Sequence, residues 1–201
     1  MIRLLLADDQ ALVRGALAAL LNLEPDLEVV AEVGAGDEVL AAVLEHRPDV
    51  ALLDVEMPGM DGIAATALVR AKSPRTRVLI VTTFGRPGFL RRALQAGAYG
   101  FVVKDTPAAE LADAVRKVHQ GLRVVDSQLA TDSLVAGESP LTPRETEVLR
   151  AARDGSTVAT IAKRLFLSEG TVRNHLSAAI GKTGATTRAE AVITAESNGW
   201  L

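Results

Sequence analysis

The chain of 201 residues has no cysteine, which excludes disulfides, thiolate metal sites and cysteine nucleophiles. Histidine is scarce too, and three residues leave little scope for a histidine metal site. No apolar run approaches the roughly 20 residues needed to cross a bilayer. Ile2-Arg3 leads directly into an apolar strand pattern that ends at Ala7-Asp8-Asp9, which is no signal peptide. The expectation is a cytoplasmic protein with no membrane insertion. A large excess of one charge is also missing: the net charge of −3 argues against an indiscriminate nucleic-acid binder. What is present is 48% hydrophobic and 23% charged residues, a globular balance sufficient for one large domain or two small ones.

The charge is uneven. Residues 1–120 carry 13 Lys and Arg against 16 Asp and Glu, whereas residues 161–188 set Lys163, Arg164, Arg173, Lys182 and Arg188 against Glu169 alone. A basic stretch inside an acidic chain is either a phosphate-facing surface or an ordinary solvated helix face. The apolar pattern changes along the chain as well. Short apolar runs at 2–7, 27–33, 50–53, 78–82 and 100–103 alternate with amphipathic segments at 11–21, 38–46, 62–71, 89–96 and 108–120. This predicts an α/β doubly wound parallel five-stranded domain over residues 1–120. Its ligands would lie at the carboxyl ends of the strands, where strand order reverses. Residues 121–137 read as a linker with one helical stretch, and residues 138–201 as an all-α domain of four helices. Thr142-Pro143-Arg144-Glu145 and Thr187-Arg188-Ala189-Glu190 are capping-box signatures. Gly34-Ala35-Gly36 imitates a dinucleotide fingerprint, but the sixth position is Val39, so it reads as a turn before a helix capped by Asp37.

Polar residues gather at the strand ends. Asp8 and Asp9 follow the first strand, Asp54 the third and Lys104 the fifth, and Thr82 ends the fourth. Three carboxylates cannot share a pocket in ionised form without a counter-ion, and Mg²⁺ suits such oxygen ligands. A metal-loaded aspartate beside a lysine fits phosphoryl transfer, with aspartate itself as acceptor and Thr82 near the new phosphoryl oxygens. Singly, Asp9 could cap a helix, Asp54 a loop, Lys104 could be a surface lysine and Thr82 a plain strand residue. Their convergence on one sheet edge favours a site. In the C-terminal part, 158–165, a short turn and 171–182 have the spacing of a helix-turn-helix, whose second helix enters the major groove. Arg173 and Asn174 suit base edges, and Thr171 and Lys182 suit phosphates. A helical hairpin that binds protein has the same pattern.

Leu6-Ala7-Asp8-Asp9-Gln10, Asp54-Val55-Glu56-Met57-Pro58-Gly59-Met60-Asp61-Gly62, Val81-Thr82-Thr83 and Ala96-Gly97-Ala98-Tyr99-Gly100-Phe101-Val102-Val103-Lys104-Asp105 resemble the response regulators of bacterial two-component systems. The resemblance implies that a sensor histidine kinase phosphorylates Asp54. It implies that Asp8, Asp9, Asp54 and the main-chain carbonyl of Glu56 hold Mg²⁺ as cofactor. Lys104 would pair with the phosphoryl group, Thr82 would move toward it, and Phe101 would change rotamer. Asp105 departs from the family, where Pro often follows the lysine, and leaves the geometry of that peptide open. Leu141-Thr142-Pro143-Arg144-Glu145 with Thr171-Val172-Arg173-Asn174-His175 is similar to the NarL/FixJ (LuxR-type) DNA-binding domain. By position Arg173, Asn174 and Ser177 would face the bases of double-stranded DNA, although some relatives have a basic residue in place of Ser177. Residues 20–30, the loop 82–88 and Gly199-Trp200-Leu201 look like the DesR group, regulators that control lipid desaturation. The implied protein is a transcription factor switched by phosphorylation, acting as a homodimer or through release of a masked recognition helix. Arg91, Arg92, Arg116 and Lys117 with Glu110 and Asp113 would pair across the dimer axis. Two other readings compete: a phosphatase or phosphotransferase using Asp54 as a turnover nucleophile, and an unphosphorylated adaptor. Against the first, Glu56 stands two residues beyond Asp54 within a Met-Pro loop.

Overall fold

The computed structural model describes residues 1–83, 85, 87–126, 129–131 and 139–201. Parts of the expected linker (127–128 and 132–137), the start of the expected C-terminal domain at Glu138, and Phe84 and Arg86 of the DesR-like loop lie outside the described residues. The chain divides into two compact units, the first built from Met1–Gly85 and Phe89–Ala130 and the second containing the C-terminal helices.

In the first unit β1 (Ile2–Ala7), α1 (Ala11–Leu21), β2 (Leu27–Val33), α2 (Val39–His46), β3 (Val50–Leu53), α3 (Gly62–Lys72), β4 (Arg77–Thr82), α4 (Pro87–Ala96), β5 (Gly100–Val103) and α5 (Ala108–His119) alternate along the chain. The strands form one parallel sheet in the order β2-β1-β3-β4-β5-β6. β6 (Val124–Val125) corrects the five-stranded expectation and falls inside the stretch read as linker. A two-residue strand after Gly121-Leu122-Arg123 is too short to leave a periodic signal. All four residues of β3 are buried, as expected of a strand covered on both faces. Successive side chains of β1 serve opposite cores: Leu5 and Ala7 pack with Val43, Ile63 and Phe101 on one face, Leu4 and Leu6 with Leu21, Leu111 and Val115 on the other.

The second unit holds α6 (Pro143–Ala151), α7 (Val158–Leu165), α8 (Glu169–Lys182) and α9 (Arg188–Ser197). These helices close over Leu149, Ile161, Val172 and Ala191. The first capping box forms as expected, with the Thr142 hydroxyl accepting from Glu145 N–H and the Glu145 carboxylate from Thr142 N–H. The second forms differently: Thr187 caps Glu190 N–H, but the Glu190 carboxylate reaches back to Thr186 N–H and hydroxyl at 2.7 Å each. Asp37 does not cap α2; the cap is Glu38, in helical conformation with no side-chain bond. Gly36 has another reason to be glycine, since a Cβ there would lie 1.8 Å from the Met60 carbonyl oxygen.

Candidate functional site

β1 neighbours both β2 and β3, so strand order reverses between them and a crevice opens at their carboxyl ends. The sheet continues into the polar residues placed there. Asp8 N–H donates to Val33 at 3.2 Å, Asp54 N–H to Ala7 at 2.9 Å, and Lys104 N–H to Thr82 at 2.8 Å. Asp8 and Asp54 are buried, Asp9 is exposed, and one carboxylate oxygen from each lies within 4.8 Å of the others. The Lys104 ammonium stands 2.7 Å from Asp8 Oδ2 and 2.7 Å from Asp54 Oδ2. Burial, the largest single influence on this lysine, works to lower its pKa; bonds from Asp54 and Asp8 together outweigh it and leave it above the usual value. The donor set of three carboxylates suits a hard divalent cation such as Mg²⁺, and the fit is chemical as well as spatial. Asp9 does not act as the helix cap: Gln10 occupies that position, and its N–H donates to Asp8 Oδ1 at 2.9 Å. Glu56 N–H points to Asp54 Oδ1 at 3.4 Å. Thr82, the last residue of β4, and Phe101, within β5 opposite Ile80, are almost fully enclosed. No cis peptide bond occurs among the described residues, so the Lys104–Asp105 bond is trans.

Two supports of this pocket escape sequence reasoning. Arg14, one turn into α1, donates from Nη1 to the Asp8 carbonyl oxygen, and its Nε faces the Glu32 carboxylate at 3.6 Å, beyond hydrogen-bond length. Gly62 is the second: its N–H donates to Val55 at 3.0 Å while the backbone presses against the Asp54 carbonyl.

In the helical unit Ser168 caps α8 by accepting from Thr171 N–H at 3.1 Å, and the two hydroxyls lie 2.8 Å apart. Val172, Leu176 and Ala179 are buried, which leaves Arg173, Asn174 and Ser177 exposed on the opposite face. Arg173 Nη2 rests on Glu169 at 2.7 Å, an exposed i,i+4 pair. Lys182 stands apart from the other four: its ammonium donates to both oxygens of the buried Glu145, at 3.0 and 2.8 Å. That contact holds the end of α8 to the start of α6.

Residues 4–116 match the response regulator receiver domain, and residues 139–195 match the bacterial regulatory proteins of the luxR family. The chain is a LuxR-type response regulator. Over its full 201 residues this regulator is 44% identical to the whole of the transcriptional regulatory protein YvfU and 40% identical to the whole of DesR, both from Bacillus subtilis (strain 168). Among solved structures it resembles the response regulator ChrA of a heme-sensing two-component system, with 32% identity and a TM-score of 0.60, covering 100% of this chain and 98% of that one. Its full-length likeness to YvfU is as extensive as that to DesR, so the DesR resemblance marks the family and not a lipid regulon. No described helix of the regulator is long and apolar enough to cross a membrane.

Proposed function

We propose that this transcriptional regulator is switched at Asp54 by a phosphoryl group from a sensor histidine kinase. The reading rests on one observation: a lysine ammonium 2.7 Å from two buried carboxylates, with a third carboxylate beside them at the crevice. Asp8, Asp9, Asp54 and the main-chain carbonyl of Glu56 would hold Mg²⁺, which when bound neutralises charge on the transferring phosphoryl group. Asp54 attacks phosphorus, an O–P bond forms, and the P–N bond to the kinase histidine breaks. Lys104 then exchanges its contact with Asp54 for a phosphoryl oxygen, and the Thr82 hydroxyl approaches another. Phe101 shares the core with β4 and α4, so its rotamer carries the change to the surface.

The output is double-stranded DNA. Arg173, Asn174 and Ser177 face base edges, Thr171 faces a phosphate, and Lys182 offers its third proton to another. Paired receivers bring two such modules to one site. The proposed domains are receiver 1–120, linker 121–137 and DNA-binding domain 138–201, with the two-residue strand β6 inside the linker paired to β5 of the receiver sheet.

Incubation with Mg²⁺ and a small phosphodonor, read by intact-mass spectrometry, tests the switch. One phosphoryl group per wild-type chain and none on Asp54→Ala is the expected result. Undiminished labelling of Asp54→Ala would reject Asp54 as acceptor.

A further inference from the structure

Left-handed backbone follows many of the helices, and after α4, α5, α6, α8 and α9 the residue that adopts it is glycine: Gly97, Gly121, Gly155, Gly184 and Gly199. Only Gly takes this conformation without a Cβ penalty, which is why helices so often end on it. Among the described residues Arg47, after α2, and Phe166, after α7, are the exceptions. Phe166 has φ 54° and ψ 47°, fixed by its N–H bond to Lys163 and by the Leu167 N–H bond to Ala162 at 2.9 Å. Phe166 is 95% exposed, more than any other large apolar residue among the described ones. Phenylalanine therefore suits neither the backbone, which asks for glycine, nor the water around it. Unfavourable local choices of this kind concentrate where a surface is used.

The position of the ring indicates what covers it. Phe166 is the turn residue between α7 and α8, two residues before the Ser168 cap of the helix that carries Arg173 and Asn174. Exposed Lys163 and Arg164 precede it in the last turn of α7. A surface framed by these cations and by the recognition helix fits a polyanion. Duplex DNA also offers apolar ground beside its phosphates, in deoxyribose faces and thymine methyls.

We propose that Phe166 is a DNA contact, its ring seated on the apolar part of the duplex beside the N-terminal end of α8. The contact rests on the reading of α8 as the DNA-binding helix. It explains why the chain keeps an aromatic ring at a glycine position: the ring is buried only in the complex.

The test uses the full-length phosphorylated protein and duplexes enriched by the wild type from a random-sequence pool. Phe166→Gly is expected to melt no lower than wild type, because the turn is relieved, yet to bind the enriched duplex about tenfold more weakly. Phe166→Leu, which keeps apolar bulk, should recover part of the loss. Wild-type affinity in Phe166→Gly overturns the proposal, as does a loss of affinity accompanied by a lowered melting temperature, which makes the ring structural. Full DNA affinity with failed transcription in a reconstituted assay also overturns it, in favour of a polymerase contact. If the wild type enriches no duplex at all, the reading of α8 fails first and the proposal goes with it.

Discussion

At Gly62 a hydrogen stands where a Cβ would lie 1.9 Å from the Asp54 carbonyl oxygen and 2.9 Å from its carbon. Both atoms are backbone and cannot swing aside. Substitution must therefore push α3 away from the strand that presents Asp54. Gly62→Ala is expected to destabilise the receiver by about 1–3 kcal/mol, the usual range for overpacking. It should also slow phosphoryl acceptance, because the carboxylate moves relative to Lys104. Thermal melting and initial labelling rates measure the two effects; an alanine variant with wild-type values in both would show that α3 adapts freely. The residues of the pocket were legible in the sequence because each ends an apolar run. Gly62 was visible only as part of a motif, without its reason, since the close approach comes from a loop that folds back on Asp54. Arg14 was not legible as a support, because a guanidinium reaching a main-chain carbonyl leaves no pattern in residue types.

Among elements, α6 and α8 are joined by a contact that spacing cannot reveal, as Glu145 and Lys182 lie 37 positions apart. The strands β1 to β5 and the long helices were readable from apolar period, whereas β6 depends on tertiary pairing with β5, and the Glu190 bond to Thr186 in place of Thr187 is a local choice that the motif does not fix. The Glu145–Lys182 pair makes a prediction in two parts. Lys182→Gln removes a counter-charge from a buried carboxylate and should lower the melting temperature of the helical unit. If Lys182 also meets a phosphate, the slope of log affinity against log salt should fall by about one per protomer. Glu145→Gln separates the effects, lowering stability while keeping the slope. A Lys182→Gln slope equal to wild type would confine Lys182 to holding the helix. Acid should act on the same unit. Glu145 is held below the usual carboxylate range first by the Lys182 bond, Asp154 to about 2 by bonds from Ser156 and then Arg164, and Glu190 by the Thr186 bond. Depressed folded-state values mean that the stabilisation is complete above about pH 4.5, the ordinary value for a glutamate, and disappears as pH falls through the folded values. Glu145, the buried one, carries most of it, since the other two are exposed to screening. The fluorescence of Trp200, the single tryptophan, should therefore report a falling melting temperature between about pH 4.5 and 2. A transition unchanged over that interval would contradict the assignment.

For the whole molecule, the expectation of charges pairing across a dimer axis changes at Arg116. Its guanidinium is already bound within the receiver, to Asp26 at 2.7 and 2.9 Å, Glu24 at 2.6 Å and Asp113 at 2.9 Å. Glu110 and Lys117 remain exposed on α5. Phosphorylation is still expected to double the mass seen by light scattering. Two tethered DNA-binding modules then gain affinity through effective concentration, which a single module of low net charge lacks. A phosphorylated protein that stays monomeric but binds DNA more tightly would replace dimerisation with release of a masked helix. A different consequence follows from the way Asp8, Asp54 and Lys104 draw their own amide hydrogens into the sheet. Amides held in this manner exchange with deuterium only when the cooperative unit around them opens, whereas loop amides exchange through local fluctuation. The amides of Asp8, Asp54 and Lys104 are therefore expected among the slowly exchanging ones of the receiver. Breathing of the surrounding loops can alter access to the site, but it cannot dissolve the site while the sheet endures.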